Sequence, residues 1–339
     1  MILTPTRELA GQVEESIKTY GKHLRLSSAV VYGGVKQEPQ VRAMRNGVDI
    51  VVATPGRLLD LMNQRHVNLG DVMIFVLDEA DRMLDMGFIP DIRKIIRALP
   101  KERQSLFFSA TMSDDVVKLA NTMVKDPVSI TIQPDQPTVE KIQQRVMFIE
   151  KRNKRHLLNK LMLDDALDKV LIFTNMKSTA DKVARNLSVS GMEAVALHGD
   201  MSQAVRLKTM EQFSSGEVRA LVATDIAARG IDIDGISHVI NYDIPDEAEV
   251  YVHRVGRTAR AGAEGDAISF CSSEERNALR GIEKLIMKEI PCDKEHRFHS
   301  EAARNATGLA AKPLPKGGKG GGPTLKSGSF GSVGRRRRR

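Results

Sequence analysis

Six apolar residues in a row, Val72-Met73-Ile74-Phe75-Val76-Leu77, run into three carboxylates within four residues, Asp78, Glu79 and Asp81. Consecutive apolar positions predict a strand buried on both faces, the habit of a parallel sheet covered by helices. Ligands of open α/β sheets collect at the carboxyl ends of the strands. An Asp there suits Mg²⁺ held through water, and an adjacent Glu suits proton abstraction from an attacking water. Spacing alone is equally served by an acidic turn after a strand.

A second short apolar run, Gln104-Ser105-Leu106-Phe107-Phe108, ends in Ser109-Ala110-Thr111, whose two hydroxyls are placed to hydrogen-bond those carboxylates. The same pattern recurs along the chain. Met1-Ile2-Leu3 reads as a strand end running into Thr4-Pro5-Thr6-Arg7-Glu8, a helix opening followed by Leu9, Val13 and Ile17. Ser28–Tyr32 ends in Gly33-Gly34, and Asp49–Ala53 ends in Thr54-Pro55-Gly56-Arg57. Met83, Met86, Phe88, Ile92, Ile95 and Ile96 space out as a helical core face, with methionine as filling. Val128–Ile132 reads as the last strand of this unit, and the two prolines of Gln133–Thr138 mark a linker.

A second series follows. Lys169–Phe173 ends in Thr174-Asn175, Glu193–Leu197 in His198-Gly199-Asp200, and Arg219–Ala223 in Thr224-Asp225. His238–Ile240 ends in Asn241-Tyr242-Asp243, and Ala267–Phe270 closes the series. Helical patterns over 178–188 and 204–213 separate the strands. This alternation predicts α/β architecture with two doubly wound parallel sheets in tandem. Boundaries are expected at 1–132, at a linker over 133–142, and at 143–303, with a disordered basic tail over 304–339.

Taken in order, these motifs resemble the DEAD-box ATP-dependent RNA helicases of superfamily 2. The Asp78-Glu79-Ala80-Asp81 and Ser109-Ala110-Thr111 sequences carry the resemblance, with Ala223–Asp232 and His253-Arg254-Val255-Gly256-Arg257-Thr258-Ala259-Arg260. The run around Ala227-Ala228-Arg229-Gly230-Ile231-Asp232 is closest to the bacterial RhlE-type branch. The resemblance implies two RecA-like domains, ATP and Mg²⁺ as cofactors, and RNA as partner. It implies that Glu79, Asp78, Arg257, Arg260 and His253 serve catalysis, His253 also linking the two domains. Asp78, Asp81, Gly230, Asp232, Arg257 and Arg260 would hold the nucleotide, with Asp78 on the metal and Asp232 on the ribose. Ser109 and Thr111 would couple hydrolysis to RNA. Pro5, Thr6, Arg7, Gly34, Thr54 and Arg57 would meet the RNA backbone in the first half, and Gly199, Gln203, Arg206 and Thr224 in the second. From spacing, Arg257 and Arg260 share one face of a helix, where two guanidinium groups can clamp a triphosphate.

Composition narrows the partner. The chain of 339 residues has a formal charge of +8, yet residues 299–339 hold ten Lys or Arg and one Glu, so residues 1–298 carry −1. From Lys312 onward the chain is mostly Gly, Pro, Ser and Lys, ending in Arg335–Arg339, a composition that forms no core and suits tethering to nucleic acid. Aromatic residues are 4% with no Trp, so base-stacking platforms are scarce and backbone recognition with little sequence preference is expected. No apolar stretch reaches the length of a membrane span and no secretory pattern opens the chain, so a cytoplasmic protein is expected. Cys271 and Cys292 have neither disulfide nor metal spacing.

One element is missing. Phosphate cradling in these enzymes uses Gly-x-x-x-x-Gly-Lys-Ser/Thr, and no Gly-Lys-Ser/Thr occurs in the 339 residues: Gly21-Lys22 precedes His23 and Gly318-Lys319 precedes Gly320. The adenine-reading segment is absent as well. The expectation is a first domain incomplete at its N-terminus, with an open sheet edge and impaired hydrolysis. Two alternatives stand beside an RNA-unwinding ATPase: an RNA-binding module without turnover, and a double-stranded DNA translocase, which the Asp-Glu-Ala-Asp and Ser-Ala-Thr pairing disfavours.

Overall fold

The computed structural model describes residues 1–311 except 125, 133–141, 229–232, 234 and 260–264, and except the side chains of Ile226 and Leu309. Residues 133–141 of the expected linker, Arg229, Gly230, Asp232, Arg260 and the tail from Lys312 therefore lie outside the described residues, while Ile142 is described.

Two parallel sheets organise the chain. The first contains β1 (Ile2–Leu3), β2 (Ser28–Val31), β3 (Ile50–Ala53), β4 (Ile74–Leu77) and β5 (Gln104–Phe107) in the order β2-β3-β1-β4-β5. Its helices are α1 (Arg7–Tyr20), α2 (Glu38–Asn46), α3 (Pro55–Asn63), α4 (Ala80–Asp85), α5 (Ile89–Ala98) and α6 (Asp114–Met123). The second contains β6 (Ile142–Phe148), β7 (Val170–Phe173), β8 (Ala194–Leu197), β9 (Ala220–Ala223), β10 (His238–Asn241) and β11 (Gly265–Cys271) in the order β6-β11-β10-β7-β9-β8. Around it lie α7 (Lys154–Leu161), α8 (Lys177–Val189), α9 (Gln203–Ser214), α10 (Asp225–Ala228), α11 (Ala248–Val255), α12 (Arg276–Leu285) and α13 (Glu301–Arg304). No described helix is long and apolar enough to cross a membrane.

Register places the motifs. Leu3 lies opposite Ala53 and Leu77, Val31 opposite Ala53, and Leu77 opposite Phe107. All five strands thus end at one level, and the segments after them form one rim. In the second sheet Phe173 aligns with Ala223 and Asn241, and Ala223 with Leu197, so a second rim forms from 174–175, 198–200, 224–225 and 242–243. Leu3, Phe75, Leu77, Leu58, Met83, Ile92 and Ile95 are fully buried and anchor the first core. Burying one such side chain contributes about 1.5–3 kcal/mol.

Several expectations require correction. Val128–Ile132 forms no strand: Val128, Ile130 and Ile132 are 83–87% exposed, and the outer edge of β5 is left unpaired. The apolar run before Asp78 is a strand only from Ile74, and Met73 projects into solvent at 79% exposure. The expected single helical face from Met83 to Ile96 is two helices, broken where Gly87 takes φ +76°. Strand β6 was unanticipated, because Gln143, Gln144 and Arg145 mask its period on an edge position. The packed second domain also runs past residue 303: Ala306 and Ala311 are buried, and Arg276 and Arg280 donate to the Arg304 and Ala306 carbonyls.

Candidate functional site

The carboxylates after β4 divide their work. Asp81 is buried and accepts from the Thr111 backbone N–H at 2.9 Å and the Thr111 hydroxyl at 3.0 Å, through one oxygen. Its own N–H donates to the Ser109 hydroxyl at 3.2 Å, and that hydroxyl donates to the Thr111 carbonyl at 2.7 Å. The expected link between the two strand ends is therefore built, on Asp81. Glu79 adopts a left-handed backbone, φ 50° and ψ 53°, and its carboxylate accepts from the Arg82 guanidinium. A non-glycine residue held in that conformation stores strain of order 1 kcal/mol or more, a common mark of functional sites.

Asp78 accepts one hydrogen bond, from the Glu79 N–H at 3.0 Å. Burial, and then the charge of Glu79, push its carboxyl above the ordinary carboxylate range. With Asp81 bound to Thr111 and Glu79 to Arg82, Asp78 is the carboxylate best placed for a cation at the strand end. A divalent ion beside it would offset both the burial and the repulsion, so the residues fit Mg²⁺.

Beyond β1, Thr6 caps α1, its hydroxyl accepting from the Leu9 N–H at 3.3 Å. This confirms the helix opening and leaves Pro5 and Thr6 buried, with Arg7 half-exposed. Gly34 has φ +79°, and a Cβ there would stand 1.9 Å from Arg7 Nη1. The glycine is thus the floor on which the Arg7 guanidinium lies. Arg57 Nη2 donates to the Val35 carbonyl at 3.2 Å and ties the loop after Gly34 to α3, which begins after half-exposed Thr54.

In the second domain Gly199 is exposed and Thr224 buried on the rim. Gln203 and Arg206, expected to meet RNA, are instead 4% and 7% exposed. Arg206 pairs with Glu8 at 2.7 Å and donates to the His198 carbonyl at 3.2 Å, while Gln203 sits within 3.4 Å of both Glu8 and Arg7. Their polar atoms bridge the two domains through Glu8 and Arg7, which leaves little of either side chain accessible. Glu8 was missed as a functional residue, since nothing local distinguishes it from a first-turn helix carboxylate.

Arg257 lies beyond the end of the helix, so the expected shared helix face has no helix to rest on. Helix α11 ends at Val255 with Gly256 as its cap, and Ala259 takes φ 56°, which breaks the spacing argument. Arg257 Nε donates to the His253 carbonyl at 3.2 Å. The buried cation of this segment is Arg254, bound to Asp225 at 2.5 and 2.7 Å, to Asn175 at 2.8 Å and to the Asp243 carbonyl at 2.6 Å, over the Phe173 ring. It gathers three rim segments, 174–175, 224–225 and 242–243. Among the described residues no group of three or more His, Cys, Asp or Glu forms a metal cluster. Cys271 and Cys292 are unpaired thiols.

Residues 1–119 match the family described as DEAD/DEAH box helicase, and residues 153–262 match the helicase conserved C-terminal domain. The chain is 39% identical to the ATP-dependent RNA helicase RhlB of Shewanella amazonensis, covering 94% of this chain and 76% of that protein. It is 40% identical to the CshA helicase of Bacillus subtilis and 43% identical to RhlB of Xanthomonas axonopodis, spanning 60% and 52% of their lengths. The relatives named here are RhlB and CshA proteins, which lend no support to the finer RhlE-type expectation. Among solved structures it resembles Saccharomyces cerevisiae Dbp5 bound to RNA and ADP BeF3, with TM-score 0.76 and 32% identity over 86% of this chain and 76% of that one. It also resembles Mss116p bound to single-stranded RNA and AMP-PNP, with TM-score 0.76 and 29% identity over 87% and 63%.

Proposed function

This chain belongs to the DEAD-box family of ATP-dependent RNA helicases, and from that premise we propose that it binds RNA by its backbone across the two rims. We propose further that unwinding or remodelling of short duplexes is coupled to ATP through Asp81, Ser109 and Thr111. The observation that carries the reading is the Asp81–Thr111–Ser109 network, which joins the end of β4 to the end of β5. Through these bonds a shift at the end of β4 is passed to the loop after β5.

In this reading Glu79 takes the proton from the attacking water, and its release from Arg82 sets when it is available. Asp78 holds Mg²⁺, which supplies charge neutralisation on the phosphates when bound. Arg257 and Arg260 stabilise charge on the transferring phosphoryl, with Gly230, Asp232 and His253 completing the nucleotide side. Arg7, Gly34, Thr54, Arg57 and Gly199 line the RNA path, along with the backbone at Pro5, Thr6 and Thr224. A cytoplasmic setting belongs to the same proposal.

The missing Gly-Lys-Ser/Thr favours a second reading for these 339 residues, RNA binding without turnover. Phosphoryl transfer is mostly positioning and charge stabilisation, and the loop amides and lysine supply much of both. Phosphate release with excess RNA should stay at background for the 339-residue chain. It should appear when a phosphate-loop segment from a family member is added, and vanish again with Glu79→Gln. Equal turnover with and without the added segment would mean that another phosphate site exists.

A further inference from the structure

A groove of about 390 Å³ opens on the first domain, lined by Gln37, Glu38, Val41, Arg42, Arg45, Asn46 and His66. It starts three residues after Gly34 on the rim and follows α2 down the side of the sheet, about 12 Å from Gln37 to Arg45 at the helical rise. Reciprocal side-chain hydrogen bonds between Gln37 and Gln64, 3.2 and 3.4 Å, brace its upper wall against the end of α3. Exposed Lys36 and Arg65 flank it, the latter at φ 60°.

Each neighbouring helix pairs at least one of its cations, although Arg93 and Arg97 on α5 also make no ion pair among the described residues. Helices α1, α3, α5 and α6 each tie a Lys or Arg to a carboxylate three or four residues away: Lys18–Glu14, Arg57–Asp60, Lys94–Asp91 and Lys118–Asp115. On α2, Glu38 stands four residues before Arg42, yet among the described residues neither Arg42 nor Arg45 makes an ion pair. Two exposed guanidinium groups three apart on one face repel each other by a few tenths of a kcal/mol and contribute nothing to the core. Their arrangement suits an external anion that is extended rather than compact, because the charges are strung along the groove.

We propose that this groove is a second phosphodiester site, holding the RNA strand where it leaves the rim past Gly34. The inference rests on the RNA-binding reading above and extends it to a strand longer than the rim can hold. Arg42 and Arg45 each neutralise one phosphate, Gln37 and Asn46 offer neutral donors, and the site reads no base.

The test compares the full chain with an Arg42→Glu/Arg45→Glu double variant, both residues being exposed and dispensable for packing, with thermal melting as the folding control. Affinity is measured by fluorescence anisotropy against a single-stranded RNA of about 6 nucleotides and one of about 20. The variant should bind the long RNA about tenfold more weakly at low salt. Its log-log salt slope on the long RNA should be shallower by about 1.4, two phosphates at about 0.7 each. Affinity for the short RNA should be unchanged. Unchanged affinity and slope on the long RNA would overturn the site, including the case in which the groove serves an acidic protein surface. Equal losses on both lengths would overturn it too, showing only a change in general field. If the wild-type chain bound neither RNA, the underlying RNA reading itself would have failed.

Discussion

Arg206 places its Nε and Nη2 on a single oxygen of Glu8, at 2.8 and 2.7 Å, across 198 residues of sequence. Both side chains are under 10% exposed, at 9% and 4%. The pair joins the first turn of α1, just past the rim of one sheet, to the first turns of α9 beside the rim of the other.

Removing one partner of a buried ion pair leaves the other charge uncompensated, at a cost of about 3–5 kcal/mol. Glu8→Gln and Arg206→Met should therefore separate the domains while each keeps its own fold. Small-angle scattering should give a larger radius of gyration for either variant, with little change in melting. A compact variant indistinguishable from wild type would show that other contacts hold the interface.

Gly34→Ala should weaken RNA binding through Arg7. The new methyl would meet Arg7 Nη1 at 1.9 Å, and φ +79° strains alanine by about 1–2 kcal/mol. RNA affinity should fall about fivefold to tenfold in Gly34→Ala and in Arg7→Ala, and no further in the double variant, because both remove one positioned guanidinium. Additive losses would mean that the glycine meets RNA independently.

Acid should destabilise the second domain by way of His296 and His238. Burial lowers the affinity of both rings for a proton, and both His296 ring nitrogens are buried without a partner. A base whose folded pKa is depressed contributes stability that is present above its unfolded value near 6.5 and is lost as pH falls below it. The melting temperature should drop between pH 7.5 and 5, and His296→Leu should flatten that drop. An unaltered pH profile in the variant would clear His296 of the effect.

Deleting residues 312–339 removes nine of the ten Lys and Arg that follow residue 298. RNA affinity should fall far more at low salt than at high salt, and the salt slope should become shallower by about 0.7 for each phosphate the tail had neutralised. A slope unaffected by the deletion would show that the tail leaves RNA untouched.

The alternating apolar runs and helical periods were enough to determine two parallel α/β sheets, although burial on both faces holds only in the second: along β4 Ile74 is half exposed. They also determined that the motif residues sit at strand ends, since chain polarity puts whatever follows each strand on the same rim. The Asp81–Thr111 bond was legible for the same reason: adjacent strand ends in register bring their next residues within hydrogen-bond reach. Tertiary structure alone decided the rest. Val128–Ile132 has the composition of a strand, but a strand exists only where the chain meets a ladder, and this segment lies exposed with no strand beside it. Arg257 and Arg260 have helical spacing, but the helix stops at Gly256, a local event that spacing does not encode. Glu8 and Arg206 look like solvated helix charges when read alone. Their partnership depends on where two separately folded sheets come to rest, and no pattern within either segment carries that information.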